Sequence, residues 1–393
     1  MTTPPAPLPD VHPSLWSVAA GWVFLNPGSF GLRLQAVQAR RSELLSQSES
    51  QPVEFLERTA LPLHQQSLDT LAAFVGTDSA RLGFVSNATE AIGAVLASIG
   101  VGKDDTILIG DQAYGAVAAA CKWLTRNGGH VKQVPVSLPV RSSSDITDAW
   151  KTAIAGGATL AIVDHVTSGT AIVQPVSDIV SACRDAGLPV LIDGAHAPGM
   201  LELNIDAINA DWYAGNLHKW VGAPSGAGFL WTADRHQSIV RPLALSHDVF
   251  ESYQKAFTWQ GTRDVTPWLV VPDALSAVEQ RWGWPALRQW QHDMACWAGE
   301  RCADAFGTEV ADGTGGQCTG AMVSIALPAD ASGKFADRFA LRDAIANRHR
   351  VEVAVDDQVG RWWMRLSFGA WNTPSDVDAA IEAMRDCLDR PAE

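Results

Sequence analysis

Two neighbouring stretches decide the fold: Asp193-Gly194-Ala195-His196-Ala197-Pro198-Gly199, and Trp212-Tyr213-Ala214-Gly215-Asn216-Leu217-His218-Lys219. The first follows the apolar run Leu188-Pro189-Val190-Leu191-Ile192. Such a short run, rich in β-branched residues and bounded by glycines, predicts a buried parallel strand. Asp193 then stands at the carboxyl end of that strand, where open α/β sheets bind their ligands.

Lys219 follows the second apolar segment and has few charged neighbours in the sequence. We therefore expect a desolvated ammonium with a lowered pKa. An acid at one strand end and such a lysine after the next suit pyridoxal 5'-phosphate (PLP). The lysine would bond to the cofactor's aldehyde, and the carboxylate would keep the pyridine nitrogen protonated, so that the ring accepts electrons from a Cα carbanion. Singly, an aspartate at a strand end is often a helix cap and a lysine usually lies at the surface. The combination with His196 and His218 carries the prediction.

Short apolar runs alternate with helical patterns from 82 to 231, which predicts an α/β fold with a mainly parallel sheet and helices on both faces. One run leads into Ser86-Asn87-Ala88-Thr89-Glu90 and then a helix, an order suited to an anion at the helix N-terminus. Polar residues at the strand ends would converge on one edge of the sheet. They are Asn87, Tyr114, His165, Asp193 and Lys219.

Asp193-Gly194-Ala195-His196 followed by His218-Lys219 resembles the class V aminotransferase superfamily of fold-type I PLP enzymes, in particular isopenicillin N epimerase-like and cysteine desulfurase-like proteins. The resemblance runs from Leu25 to the last predicted helix. It implies a fold-type I PLP-dependent transferase fold with a smaller α+β C-terminal domain, in a homodimer with shared active sites. It also implies the cofactor contacts, which are Lys219, Asp193, His196, Ala88, Thr89, Tyr114, Ser168, Asn216, His218 and, from the other subunit, Thr262.

Within that set the roles differ. Ala88 and Thr89 would bind the phosphate, and Ser168 would reach the ring oxygen. Asn216-Leu217 stands where the family usually has Ser-Gly, although Asn216 can still donate to phosphate. Tyr114 would stack on the pyridine ring, or else it is a loop tyrosine against the domain surface. Lys219, Asp193, His196 and Tyr114 are the catalytic candidates.

The substrate is expected to meet a second group of residues. Arg365 stands inside an apolar strand, where an arginine needs an anion partner. That partner is either an acidic side chain of the protein or, as the resemblance implies, the α-carboxylate of an amino-acid substrate held by the planar guanidinium. Asn26 and Ser29, in a segment similar to the family's Asn-x-Gly-Ser-Phe-Gly, and His165 would border the same pocket.

The chain of 393 residues divides by pattern into an N-terminal arm (1–20), a large PLP-binding domain (21–266) whose first segment also contributes to the small domain or the pocket, and a linking helix with a small C-terminal domain (267–393). A helical region over 52–71 should break near Pro62. Residues 241–258 lack periodicity and are interpreted as an aromatic-rich loop that could partly cover the site.

The composition limits the kinds of protein to which this chain can belong. With 47% apolar and 18% charged residues, the chain is typical of a globular enzyme. A net charge of −14 argues against nucleic acid or an anionic membrane as partner. The six cysteines have no metal-ligand spacing, so no metal site is predicted. The polar, Pro-rich start has no signal-peptide pattern, and no run is long enough to span a membrane, so we expect a cytoplasmic protein.

Several reactions remain open at this stage. The shared first step is removal of the Cα proton of an amino acid by Lys219, followed by epimerisation or by β-elimination, often of sulfur (C–S lyase). An epimerase needs a second acid/base, for which Tyr114, His165 and His196 are candidates. An aminotransferase is the alternative, and a non-catalytic PLP-fold protein is another. Cysteine desulfurase chemistry is disfavoured because no cysteine lies between Arg365 and Asn372.

Overall fold

The computed structural model describes residues 3–391. Its strands are β1 (Val23–Phe24), β2 (Leu82–Val85), β3 (Thr106–Gly110), β4 (His130–Val134), β5 (Leu160–Asp164), β6 (Val190–Gly194), β7 (Trp212–Asn216), β8 (Gly228–Thr232), β9 (Met322–Ala326), β10 (Val351–Glu352), β11 (Ala354–Gln358) and β12 (Arg361–Ser367). Its α-helices are α1 (Gln35–Ser50), α2 (Pro52–Glu54), α3 (Ala60–Val75), α4 (Ala88–Ile99), α5 (Gly115–Thr125), α6 (Ser143–Ala155), α7 (Val176–Asp185), α8 (Ile205–Ile208), α9 (Tyr253–Thr258), α10 (Thr266–Leu269), α11 (Val271–Arg281), α12 (Trp284–Phe306), α13 (Arg338–His349) and α14 (Pro374–Asp389).

The central sheet has seven strands in the order β2-β8-β7-β6-β5-β3-β4, and only β8 runs antiparallel to its neighbours. The central strands β5, β6 and β7 are fully buried because helices cover both faces, whereas the edge strand β4 is mostly exposed. On one face α4, α5 and α9 pack in a core with Ile92 and Val117. On the other, α3, α6, α7 and α11 pack in a core with Trp150 and Ile179. The prediction of a mainly parallel sheet between two helical layers is confirmed.

A second, antiparallel sheet of three strands, β11-β12-β9, lies in the C-terminal part. Helices α12, α13 and α14 cover it around Met294, Leu341 and Met384. The short strand β1 pairs in parallel with β10, so the segment after the arm adds to this C-terminal layer. The prediction of a smaller C-terminal part built from helices and an antiparallel sheet is confirmed. The domain boundary at residue 266 remains a prediction. Helices α10 and α11, which follow it, pack on α1 and α3, which precede it.

Two local expectations differ from the structure. The helical region after Pro52 is broken by a π-turn over Phe55–Thr59 and not at Pro62. Pro62 lies in the first turn of α3, where a missing amide hydrogen is tolerated. Residues 253–258 form α9, capped by Ser252, and bury Tyr253 and Phe257 against the central sheet. The cavity described below is lined by residues outside 241–258, and a role of this segment as a partial cover remains a prediction.

The N-terminal arm, of which residues 1 and 2 lie outside the described part, has little regular structure but is packed in place. Trp16 is buried and stacks on Trp282 at 5.9 Å between ring centroids. The indole N–H of Trp282 donates to the carbonyl of Pro9 at 3.0 Å, and that of Trp290 donates to Ala6 at 2.8 Å. The arm is therefore held against the helices of the C-terminal half.

None of the helices in residues 3–391 combines the length and apolar character that crossing a membrane requires.

Candidate functional site

A cavity of about 300 Å³ opens at the carboxyl edge of the central sheet. The strand ends supply its floor, as expected for an open parallel sheet. The predicted site residues that line it are Ser29, Ala88, Thr89, Tyr114, Ser168, Asp193, His196, Asn216, His218 and Lys219. The predicted residues outside its lining are Asn26, His165, Thr262 and Arg365. One site therefore brings together residues that lie far apart in the sequence.

Lys219 follows β7 and is partly buried in this cavity. Its Nζ lies 3.1 Å from His196 Nε2. Burial, with the positive charge of Arg365 acting in the same direction and the carboxylate of Asp193 opposing both, lowers the pKa of Lys219 to about 7. An amine with that pKa is available in its neutral form near neutral pH, as a nucleophile or a base must be.

Asp193 stands at the end of β6, where it is 5% exposed. Its Oδ1 accepts a hydrogen bond from the Ala195 N–H at 3.0 Å. Burial raises the pKa of Asp193, while the Ala195 hydrogen bond and the nearby Lys219 act against that rise. Asp193 and Lys219 face the same cavity from neighbouring strands, and Asp193 is thus a buried carboxyl group in position to meet a cation.

Two histidines close the site around Lys219. Burial lowers the pKa of His196 well below its ordinary value, with Lys219 and Arg365 adding to the effect. Burial, aided by Lys219, also lowers the pKa of His218 to about 4. Both imidazoles are therefore neutral at pH 7. In the described chain the Nδ1 atoms of both are buried without a hydrogen-bond partner.

The N-terminus of α4 forms one end of the cavity. Asn87 caps the helix by accepting the Glu90 N–H, and Glu90 accepts the Ser86 N–H in return. The amide of Ala88, expected to bind phosphate, instead donates to Asn216 Oδ1 at 2.8 Å. Asn216 thus turns its amide oxygen to the helix, and its amide nitrogen is left for an anion. Thr89 lines the cavity, as expected.

Arg365 approaches from β12 and is 3% exposed. One of its terminal nitrogens donates to the Ser168 carbonyl at 2.5 Å, and the other donates to Asn26 Oδ1 at 2.9 Å and to Ser29 Oγ at 3.1 Å. These hydrogen-bond partners are neutral oxygens, and among residues 3–391 Asp356 acts on the guanidinium through its charge and without a hydrogen bond. Asn26 and Ser29 orient Arg365 in this structure, and Asn26 does so from behind the cavity wall.

His165 does not face the cavity. Its Nδ1 lies 2.7 Å from the hydroxyl of Tyr213 inside the sheet layer, and burial lowers the pKa of His165 to about 4. The expectation that it borders the substrate is therefore corrected to a position behind the cavity wall. Thr262 is exposed and outside the lining, as a residue directed to another subunit would be, and that role remains a prediction.

The cavity also contains residues that the sequence did not single out. Asp164 ends β5 beside Asp193, and Phe30 lies at the mouth with 71% exposure. Tyr114, at the N-terminus of α5, is 47% exposed and borders the same opening, which leaves room for either of its two expected roles. The signal for Asp164 was available, because it ends its strand as Asp193 does.

The donor set fits PLP. The cavity offers an enclosed amine of lowered pKa in Lys219, a buried carboxyl group in Asp193, and the N-terminus of α4 for an anion. The neutral imidazoles of His196 and His218 line the same cavity, with His196 Nε2 at 3.1 Å from the amine. The Arg365 guanidinium, hydrogen-bonded to neutral oxygens, lies one layer away.

Comparison with known proteins agrees with this geometry. The family model described as aminotransferase class-V matches residues 32–380. The isopenicillin N epimerase of Amycolatopsis lactamdurans is 29% identical, over 92% of this chain and 94% of its own. A putative L-cysteine desulfhydrase 1 of Oryza sativa subsp. japonica is 33% identical, over 79% of this chain and 68% of its own.

Among solved structures, the cysteine desulfurase CsdA of Escherichia coli superposes with a TM-score of 0.76 at 17% identity, covering 96% of this chain and 97% of its own. That likeness confirms the fold. Because the family model spans most of the chain and the cavity holds the matching lysine and aspartate, this protein belongs to the class-V aminotransferase family and its cofactor is pyridoxal 5'-phosphate.

Proposed function

We propose that this protein is a PLP-dependent C–S lyase, which eliminates a sulfur leaving group from Cβ of a small amino acid. The observation that carries the proposal is the distribution of acid–base groups around Lys219. His196 Nε2 lies 3.1 Å from Lys219 Nζ and so is on the same side of the site as Lys219. His165 lies behind the cavity wall, where it contacts Tyr213. Elimination needs one base at Cα, whereas epimerisation needs two on opposite faces.

The residues divide the work as follows. Lys219 Nζ takes the Cα proton, since its pKa of about 7 keeps a fraction neutral. Arg365 binds the substrate α-carboxylate, with Asn26 and Ser29 holding the guanidinium in place. When bound, PLP supplies an electron sink for the charge that develops at Cα. Asp193 holds a proton at the pyridine nitrogen and so maintains that sink.

The overall reaction balances with water alone. The Cα–H proton goes to Lys219, and the Cβ–S bond breaks with its electron pair going to sulfur, which takes up a proton and leaves as a thiol. The remaining aminoacrylate hydrolyses to pyruvate and ammonia. The cavity volume of about 300 Å³ is at the low end for ligand pockets and has to hold both cofactor and substrate, which supports a small amino acid.

Epimerisation is the second candidate. It is supported by relatives named isopenicillin N epimerase and by Tyr114, the remaining acid–base candidate at the cavity. Transamination is a third and would require a second substrate. Cysteine desulfurase chemistry is disfavoured, since none of the described cavity-lining residues is a cysteine.

A product screen tests the choice. The PLP-loaded protein is incubated in heavy water with L-cysteine, L-cystine and cysteine thioether conjugates, and products are followed by mass spectrometry. We expect pyruvate in equal amount to the released sulfur product, which is hydrogen sulfide from cysteine, cysteine persulfide from cystine and a free thiol from the thioether conjugates. Deuterium at Cα with inversion and no pyruvate would favour the epimerase, and pyridoxamine phosphate would indicate transamination. Lys219→Ala is the control and should lose both turnover and the cofactor trapped by borohydride. A non-catalytic binder would show no turnover in the wild type.

A homodimer with shared active sites and a cytoplasmic location are further parts of the proposal. Thr262 is exposed and outside the cavity of its own chain, which suits a contribution to another subunit. The cytoplasmic location is supported by six free cysteines, because a reducing compartment keeps cysteines as free thiols.

A further inference from the structure

Asp164 and Asp193 are held side by side in the cavity wall. They are register partners on the neighbouring parallel strands β5 and β6, so their side chains leave the sheet on the same face. Each is 5% exposed, and both line the cavity. The strand pairing therefore fixes two carboxyl groups next to each other in a place shielded from bulk water.

Two neighbouring carboxyl groups in such a place do not both ionise readily. Burial raises the pKa of Asp164 well above its ordinary value, and the charge of Asp193 raises it further. A hydrogen bond from the Tyr114 N–H to the Asp164 carboxyl acts in the other direction without offsetting these effects. None of the described cations compensates Asp164, whereas Lys219 compensates Asp193.

The groups that face the two carboxyl groups from other elements do not change this difference between Asp164 and Asp193. Lys219, after β7, has a pKa of about 7 and so carries only part of a charge. His196, after β6, is neutral, and Arg365 on β12 is bonded to neutral oxygens. Tyr213 on β7 is held neutral by burial, which raises its pKa, and its hydroxyl meets His165, which is also neutral.

We propose that Asp164 and Asp193 share a single proton, with Asp164 as the neutral partner, and that Asp164 is a positioning residue that fixes the charge and orientation of the Asp193 carboxylate. Asp193 Oδ1 is already occupied by the Ala195 N–H, so the second oxygen is the one left for Asp164 and the cofactor. The pair then presents one negative charge to the pyridine nitrogen, which one proton on that nitrogen neutralises.

Infrared difference spectroscopy tests the shared proton directly. Spectra of the PLP-loaded wild type and of Asp164→Asn are compared near neutral pH. We expect the substitution to remove the carbonyl stretch of a protonated carboxyl group and to leave the carboxylate bands unchanged. Loss of carboxylate bands alone would overturn the proposal. Asp111→Asn is the matched control, because Asp111 is partly buried after β3 and outside this cavity, and it should leave the Asp164 band in place.

A second measurement reports the positioning role. If Asp164 is neutral, Asp164→Asn preserves charge and hydrogen-bonding capacity. The midpoint of the pH titration of the PLP absorbance band should then stay within a few tenths of a unit, and a fall of about one unit or more would show that Asp164 is charged. Asp164→Ala removes the hydrogen bond and should weaken PLP binding by about tenfold, with Asn restoring it. Equal loss in both variants would contradict the positioning role.

The inference rests on the cofactor site and not on the choice between elimination and epimerisation. Neither measurement requires turnover, so the shared proton can be rejected while the lyase proposal stands, and the lyase proposal can fail while the shared proton is confirmed.

Discussion

Lys219 has a consequence for stability that can be measured without any substrate. Burial lowers its pKa from 10.5 to about 7 in the folded protein, so between these two values the unfolded chain binds more protons. The free energy of unfolding contributed by Lys219 therefore rises with pH through that window, and the cost of burying the charged amine is complete below pH 7. We expect Lys219→Met to stabilise the cofactor-free protein relative to wild type at low pH, and the advantage to shrink by roughly 2 kcal/mol between about pH 6 and pH 9.

Chemical unfolding of wild type and Lys219→Met at both pH values measures that change. Lys132→Met is the control for replacing a lysine by methionine, because Lys132 is exposed on β4. A difference between wild type and Lys219→Met that is constant with pH would show that Lys219 is not desolvated.

Arg365 allows a test of carboxylate recognition at the same scale. Arg365→Lys keeps the charge but loses the planar pair of nitrogens that reach Ser168 and Asn26. We expect KM for the amino acid to rise by about 10- to 100-fold with a smaller change in kcat, because the carboxylate is bound in both ground and transition states. The PLP absorbance band should persist. Arg361→Lys, on the same strand but paired with Glu309, should change neither constant, and an effect on kcat alone would argue for a different role of Arg365.

The outcome at individual positions shows what a sequence can and cannot give. Asp193 and Lys219 were predictable because a strand end and a sparse charge environment are local features. His165 was misplaced because successive residues of a strand point to opposite faces. Asp164 faces the cavity, and the next residue turns into the layer behind it. The contact between Arg365 and Asn26 joins residues 339 positions apart, which local pattern alone does not reveal.

The start of α4 depends on Asn216 in a way that separates helix stability from cofactor affinity. Asn216→Asp keeps an oxygen to accept the Ala88 N–H at the helix N-terminus, where negative charge is favourable. It also replaces the amide nitrogen at the cavity by an anion, which repels phosphate. We expect PLP to bind at least tenfold more weakly while thermal stability of the cofactor-free protein is unchanged or slightly higher.

Equilibrium binding of PLP and thermal unfolding of the cofactor-free protein provide the two readouts. Asn216→Ala serves as the comparison, since it leaves the Ala88 N–H without its partner and should lower both quantities. If Asn216→Asp bound PLP as well as wild type does, Asn216 would not face the phosphate.

Among the helices and strands, those with a clear period were predictable and those set by neighbours were not. The strand β6 and the helix α7 were evident from an apolar run and an amphipathic repeat. The short helix α9 was not, because six residues give little periodicity and its position depends on burying Tyr253 and Phe257 against the sheet. The antiparallel direction of β8 depends likewise on its pairing with β7 and β2.

The arm ties the beginning of the chain to its C-terminal half. Trp16 stacks on Trp282 and meets the edge of Trp371, and all three border a small apolar cavity behind Lys219. We expect Trp16→Ala to destabilise the protein by about 3 kcal/mol and to expose residues 3–15 to limited proteolysis. Trp22→Ala is the matched control, since Trp22 is partly exposed and should cost much less. An arm that stays protected after Trp16→Ala would mean that the bonds to Trp282 and Trp290 suffice to hold it.

The proposed homodimer with shared active sites can be tested by substituting Thr262. If each cavity uses Lys219 from one subunit and Thr262 from the other, a dimer of one Lys219→Ala chain and one Thr262→Glu chain has one doubly defective site and one intact site. The two variants, each nearly inactive alone, should recover on mixing at equal amounts to about a quarter of wild-type specific activity, because half of the dimers are hybrids with one intact site.

Co-purification of an untagged Thr262→Glu chain with an affinity-tagged Lys219→Ala chain establishes that hybrids form, and Thr152→Glu in place of Thr262→Glu is the control, because Thr152 is exposed on α6 and lies outside the cavity. The Thr152 variant should be active by itself and should gain nothing from mixing. A dimer whose Thr262→Glu form is fully active would show that the sites are not shared through Thr262, and a monomer with full activity would show that one chain completes the site alone.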